Sequence, residues 1–279
     1  MKTIQKHSTA GEIRDSPSYL CQAPLADHPW GARKDGPLDW TTVAVVAVIM
    51  AATAVRSLMG FGNALVAMPL LALFLPKETV SPLVALTAMV TGSILLLQTW
   101  RQLCLRNTGR LLAGAALGTP IGLCLLTYLP EGVVLFTLAV IIFSFSLYSL
   151  TKPRLVRIRS DWGAWVAGFI AGILGGAYNT NGPPIAIYGT LRGWEPERFR
   201  AILQGFFWPA GVMVLIGHAS AGLWTREVFR YAGWSLPGLL LTMLLCRPLA
   251  RCIPPGRFDQ FVHTLLMATA VLLGAKALL

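Results

Sequence analysis

From Asp39 onward the chain is a succession of apolar segments, at about residues 39–75, 80–100, 109–129, 132–150, 162–191, 200–220, 228–248 and 258–278. Most are about 20 residues long, the length at which a helix crosses a ~30 Å hydrocarbon core. A water-soluble fold cannot rest on that pattern, because it needs charge to cover its surface. Only 13% of the 279 residues are charged, against ~25% in ordinary soluble domains. The expected fold class is an all-α polytopic membrane protein.

The charges that remain are placed accordingly. Lys and Arg outnumber Asp and Glu by 23 to 12, and the basic residues stand in short clusters between apolar runs. That is how loop charges orient a membrane protein, and it is not a nucleic-acid-binding patch. Outside the N-terminal tail the acids are Asp39, Glu78, Glu131, Asp161, Glu195, Glu197, Glu227 and Asp259, each at or near the end of an apolar run. Cys21, Cys104, Cys124, Cys246 and Cys252 are odd in number and form no CxxC pair, so neither a metal site nor a disulfide framework is expected. Residues 1–37 are polar, carry four prolines and lack an apolar core of signal-peptide type. A disordered tail is expected there.

Two segments break the pattern of simple spans. The run 39–75 is too long for one straight crossing, and the run 162–191 is interrupted by Gly175, Gly176, Asn179, Asn181, Gly182, Pro183 and Pro184. Each heads three further apolar spans. The chain thus divides into a first repeat over 38–150, a basic connecting loop at 151–160 and a second repeat over 161–279. Gly60 precedes Pro69 by nine residues, as Gly175 precedes Pro184. Duplication with a Gly/Pro-interrupted segment in each half points to a transporter site.

If each interrupted segment crosses once, the repeats are parallel and twelve basic residues face seven across the membrane. If each enters and returns on one side, the repeats are inverted and the division is thirteen against six. One residue leaves both arrangements open. Trp40, Trp100, Trp162, Trp194 and Trp224 stand at segment ends, as an interfacial belt requires.

The candidate site gathers at the two interruptions. Gly60, Gly62 and Asn63 allow the backbone to leave the helix, and a half-helix beginning after Gly62 would aim its free amides at an anion. The other reading is a close helix crossing through small residues. Gly175, Gly176, Asn179, Thr180 and Asn181 form the second cluster, where neutral hydrogen bonds could reach a bound oxyanion. Gly182, Pro183 and Pro184 would set the next half-helix, since proline suits a first turn, and Pro69 is their structural counterpart. An extramembrane hairpin is the alternative, though both flanking pieces are too short to span. Arg56, one turn before Gly60, either binds an oxyanion with its planar fork or marks a helix end from which it snorkels. Gln204 either faces the cavity or bonds between helices. His218 and His263 stand near segment ends, where solvated rings are expected.

The glycine-rich break followed by proline, once in each half of about 240 residues, resembles the TauE/SafE sulfite-exporter-like permeases. The resemblance covers residues 40–279. Asn63 stands where a further glycine is common in that family, and the second half has two consecutive glycines in place of three. What the resemblance implies is transport of small anions such as sulfite or sulfonates, by alternating access at the two breaks. No cofactor is expected, and the partners are a small anion, the bilayer of a cell (inner) membrane and, left open, further copies of the chain. An anion channel and a non-transporting membrane scaffold are the competing classes. The chain has no HExxH, GxSxG or Walker A motif, so an enzyme is not expected.

Overall fold

The computed structural model describes residues 39–99, 105–151, 162–249 and 255–278. The tail at 1–37 and nearly all of the 151–160 loop lie outside the described residues. Ten helices make up the described part: α1 (Trp40–Met59), α2 (Asn63–Leu71), α3 (Lys77–Thr99), α4 (Leu105–Tyr128), α5 (Glu131–Thr151), α6 (Trp162–Tyr178), α7 (Gly182–Arg192), α8 (Pro196–Ser220), α9 (Arg226–Leu249) and α10 (Pro255–Leu278). No strand occurs among the described residues, as expected where hydrocarbon demands that every backbone polar group be satisfied within its own segment. Six of the described helices are long and apolar enough to cross a membrane, α1, α3, α4, α5, α8 and α9. The chain is a multi-pass membrane protein. Its exposed surface agrees: Phe136, Val140, Phe143 and Leu147 form one bare apolar stripe on α5, and Leu240, Leu241, Leu244 and Leu245 another on α9. Such stripes would aggregate in water and are at home against lipid.

The helices pair in a definite scheme. Helix α4 lies along α6, α1 along α9, α5 along α10 and α3 along α8, while α4 also meets α8 and α3 meets α9. The α4–α6 contact is the closest. Gly114, Gly118 and Gly122, spaced by four, put one bare face of α4 against Trp165, Phe169 and Ile173. A Cβ at Gly118 would stand 2.2 Å from the Phe169 carbonyl oxygen. From the other side Gly168, Gly172 and Gly176 meet the carbonyls of Leu111, Ala115 and Thr119. Successive glycines of α4 meet successive turns of α6, so the two helices run parallel. Small residues at four-residue spacing allow this approach, which adds backbone dispersion contacts that lipid cannot replace.

Two lysines bound to helix ends show how those ends are arranged. The Lys77 ammonium, at the start of α3, donates to the carbonyls of Leu126 (2.8 Å) and Leu129 (2.5 Å) at the end of α4. Lys276, in the last turn of α10, donates to Ala72 (2.8 Å) and Leu73 (3.1 Å), just past α2. Both satisfy carbonyls orphaned at a helix C-terminus and oppose its negative dipole end. Gly132 near the start of α5 meets the Ala277 carbonyl near the end of α10. Ser81 of α3 bonds His218 near the end of α8. The starts of α3 and α5 and the ends of α2, α4, α8 and α10 therefore share one face of the bundle. Helix α6, parallel to α4, climbs toward that face. Helix α7 then turns back, because Tyr188 near its end packs on Gly163 near the start of α6.

Candidate functional site

Helix α1 ends where Gly60 and Gly62 adopt φ of 85° and 101°, a left-handed backbone that side-chain-bearing residues avoid. The chain restarts as α2 at Asn63, where the sequence places the half-helix. The second break differs from expectation. Helix α6 runs unbroken through Gly175 and Gly176 to Tyr178, and the backbone leaves the helix at Asn179, whose φ is 53°. Gly176 serves the α4 contact, and Gly175 lies under the Asn181 side chain. Glycine there provides close approach, not a turn. Asn179 is among the few residue types that tolerate the left-handed region. It is held by its amide, which donates to the Ser81 carbonyl at 2.7 Å and the Ser81 hydroxyl at 3.2 Å.

Between the breaks lies a cavity of about 50 Å³, room for roughly three or four waters or one small oxyanion. Six of the candidate anion-binding residues read from the sequence line it: Arg56, Gly62, Asn63, Asn179, Thr180 and Asn181. Gly182, which opens α7, lines it as well. Gly60, Gly175, Gly176 and Gln204 do not. Gln204 instead donates from Nε2 to the Gly60 carbonyl at 3.0 Å, tying α8 to the first break. Pro183 and Pro184 occupy the first turn of α7, and Pro69 lies inside α2, so the two proline positions do not correspond.

The electrostatics of the cavity are one-sided. Arg56 is 6% exposed, and its Nε has no hydrogen-bond partner. Among the described residues no carboxylate pairs with it. Its guanidinium stands 5.5 Å from the centre of the Phe207 ring, a cation–π contact that offsets only part of the desolvation. Gly92 leaves the space it needs, since a Cβ there would lie 3.1 Å from Nη2. Ala64 and Leu65 also line the cavity, so the first turn of α2, whose amides have no intrahelical acceptor, opens onto it. Helix α7 contributes less, because two of its first three residues are prolines and have no N–H. A buried cation, a bare helix N-terminus and neutral amides are what a small anion requires.

The rest of the wall was not singled out by sequence. Ala85, Ala88, Met89 and Gly92 come from α3, and Phe207, Trp208, Gly211 and Val214 from α8. Their signal was only apolar periodicity, which every spanning helix shares. His218, expected to be solvated, is fully buried and bonds the Ser81 hydroxyl at 3.2 Å; His263 is also buried. Both are enclosed by packing between segments that are remote in sequence. A larger cavity of about 640 Å³ lies between α5 and the α6–α7 pair, but the described residues that line it, such as Val140, Ile170, Pro184 and Leu191, include no charged side chain.

Asn179 is open to a direct test. Asn179→Gly keeps the backbone turn and loses the bonds to Ser81, which costs about 1–2 kcal/mol. Asn179→Ala adds the left-handed penalty of roughly 1–2 kcal/mol. Thermal unfolding in detergent is expected to order them wild type, glycine, alanine.

A family model described as Sulfite exporter TauE/SafE matches residues 44–273, from the first turns of α1 to the last turns of α10. The search of curated proteins finds no match, and neither does that of solved structures.

Proposed function

The chain belongs to the sulfite exporter TauE/SafE family, a family of membrane transporters, and from that premise we propose that it carries small oxyanions, sulfite or sulfonates, across a cell (inner) membrane. The observation that carries this reading is Arg56, a buried guanidinium with no carboxylate partner among the described residues, beside the open first turn of α2 in a cavity of oxyanion size. A lone arginine at membrane depth costs about 2.5–3.5 kcal/mol or more, and a bound anion offsets it. Arg56, Gly62, Asn63, Thr180 and Asn181 contact the anion; Asn179, Gly60 and Gln204 position the breaks.

The two halves are inverted repeats in this reading. Exchanging α1–α5 with α6–α10 turns the α4–α6 pair into α9–α1 and the α4–α8 pair into α9–α3, and it maps α3–α8 and α5–α10 onto themselves. The α6–α7 pair returns to the face it came from, and α2 ends on the opposite face. That is the arrangement with thirteen basic residues on one side, which is the cytoplasmic side by the positive-inside rule. Access alternates as one half rocks against the other around the fixed cavity.

Reconstituted vesicles loaded with unlabelled sulfite are expected to accumulate labelled sulfite by counterflow, with saturation. Related sulfonates and carboxylates compete according to how well they fit the cavity. Anion conductance without saturation or counterflow identifies a channel, and absence of any flux identifies a scaffold.

A further inference from the structure

We propose that the site takes its oxyanion in the singly charged, protonated form, with the ligand's own O–H donated to the side-chain carbonyl of Asn63. This rests on the anion reading above and, between its two substrate classes, favours hydrogen sulfite over sulfonates, which carry no O–H.

The first argument is charge. Among the described residues lining the cavity Arg56 alone is formally charged; Asn63, Asn179, Thr180 and Asn181 are neutral, and Ala85, Ala88, Met89 and Phe207 are apolar. The described titratable groups on the surrounding elements are engaged or placed elsewhere. The Lys77 ammonium is bound to the Leu126 and Leu129 carbonyls with Glu78 beside it. Arg192 stacks on Tyr188, and His218 bonds Ser81. Tyr178 closes α6 without lining the cavity. Glu197, Arg198 and Arg200 precede Phe207 by two to three turns in the sequence of α8, and their side chains lie outside the described residues. A monoanion neutralises Arg56. A dianion leaves one negative charge uncompensated in a small cavity inside the protein, and burying an unpaired charge is strongly unfavourable.

The second argument is Asn63 itself. It is 1% exposed, lines the cavity, and among the described residues neither Nδ2 nor Oδ1 has a hydrogen-bond partner. Whichever way the amide is turned, it presents one donor group and one acceptor. A fully ionised oxyanion has acceptors only, so it would satisfy the amide nitrogen and set a carbonyl oxygen against negative charge. A hydrogen oxyanion supplies the missing donor, and both ends of Asn63 are then satisfied.

Calorimetric binding to the purified full-length chain separates the outcomes, with sulfite, selenite, sulfate and methanesulfonate as probes. Selenite loses its second proton at higher pH than sulfite; sulfate is a dianion, and methanesulfonate is a monoanion without O–H. The expected result is that Kd for total sulfite is flat below the second ionisation of the acid and weakens about tenfold per pH unit above it. For selenite the onset moves upward with the ligand's own ionisation. Sulfate binds about a hundredfold more weakly or worse, and methanesulfonate about tenfold more weakly than hydrogen sulfite. Asn63→Leu abolishes that last difference, and His218→Gln leaves the onset where it was. A Kd unchanged through the ionisation, one common onset for sulfite and selenite, an onset moved by His218→Gln, or sulfate binding as tightly as sulfite overturns the inference and leaves the anion site standing. Absence of binding by all four probes removes the anion reading as well.

Discussion

Replacing Arg56 with methionine is expected to weaken anion binding by about a hundredfold or more, while the ligand-free protein melts at the same temperature or higher. Both signs follow from the same geometry. The guanidinium is buried, lacks a carboxylate partner among the described residues and rests on Phe207, so without ligand it is a desolvated charge with incomplete compensation. Methionine fills similar space without that penalty. With an anion present, truncating one partner of a buried charged pair costs about 2–5 kcal/mol, which sets the loss of affinity. Calorimetry gives the affinity, and melting with and without sulfite gives the linked stability, since a ligand that binds only the folded state raises the melting temperature by mass action. A structural arginine predicts the opposite pattern, with stability lost and affinity kept in whatever protein survives. Arg56→Lys should fall between the two, because an ammonium keeps the charge but loses the planar fork.

Gly118→Ala is expected to destabilise the fold by about 3–5 kcal/mol. A single methyl group causes this because a Cβ at residue 118 would stand 2.2 Å from the Phe169 carbonyl oxygen and 2.9 Å from the Ile173 nitrogen. No rotamer relieves that clash. Helices α4 and α6 must separate, and the neighbouring glycine contacts at Gly114, Gly122, Gly168, Gly172 and Gly176 are loosened with it. Gly233→Ala makes the same chemical change on α9, where a Cβ would meet nothing within 4 Å. Helix propensity alone then predicts an effect between zero and about +1 kcal/mol of stabilisation. Comparing the two variants by detergent unfolding isolates the close approach from any general intolerance of alanine. Equal melting temperatures would show that the α4–α6 contact is not tight.

Much of this was legible from residue types alone. Segment lengths and the scarcity of charge marked the spans. Gly60 and Gly62 marked the first break, because a left-handed backbone there leaves few alternatives to glycine. The second interruption, read as Gly175 to Pro184, contains the observed break at Asn179 but starts a few residues early for a physical reason: glycine signals either backbone freedom or close approach, and Gly175 and Gly176 are of the second kind. Asn179 carries the turn instead, held by Ser81, a residue 98 positions away. Gln204 and His218 likewise owe their roles to partners far off in sequence, Gly60 and Ser81. The cavity wall from Ala85 to Gly92 and from Phe207 to Val214 had no polar residue to mark it except the Trp208 indole, which donates to Ser93. A glycine spacing of four on both α4 and α6 was present to be read, and it required knowing that the two helices meet.

The central claim is that the anion binds between the two breaks, and a heavy-atom anion tests it most directly. Crystals of the protein equilibrated with selenite and measured at the selenium absorption edge should show one strong peak inside the cavity. The account places it within hydrogen-bonding reach of the Arg56 guanidinium and the first-turn amides of α2, facing Asn181. A peak confined to the basic surface loops, or an empty cavity at a selenite concentration that saturates transport, would contradict it.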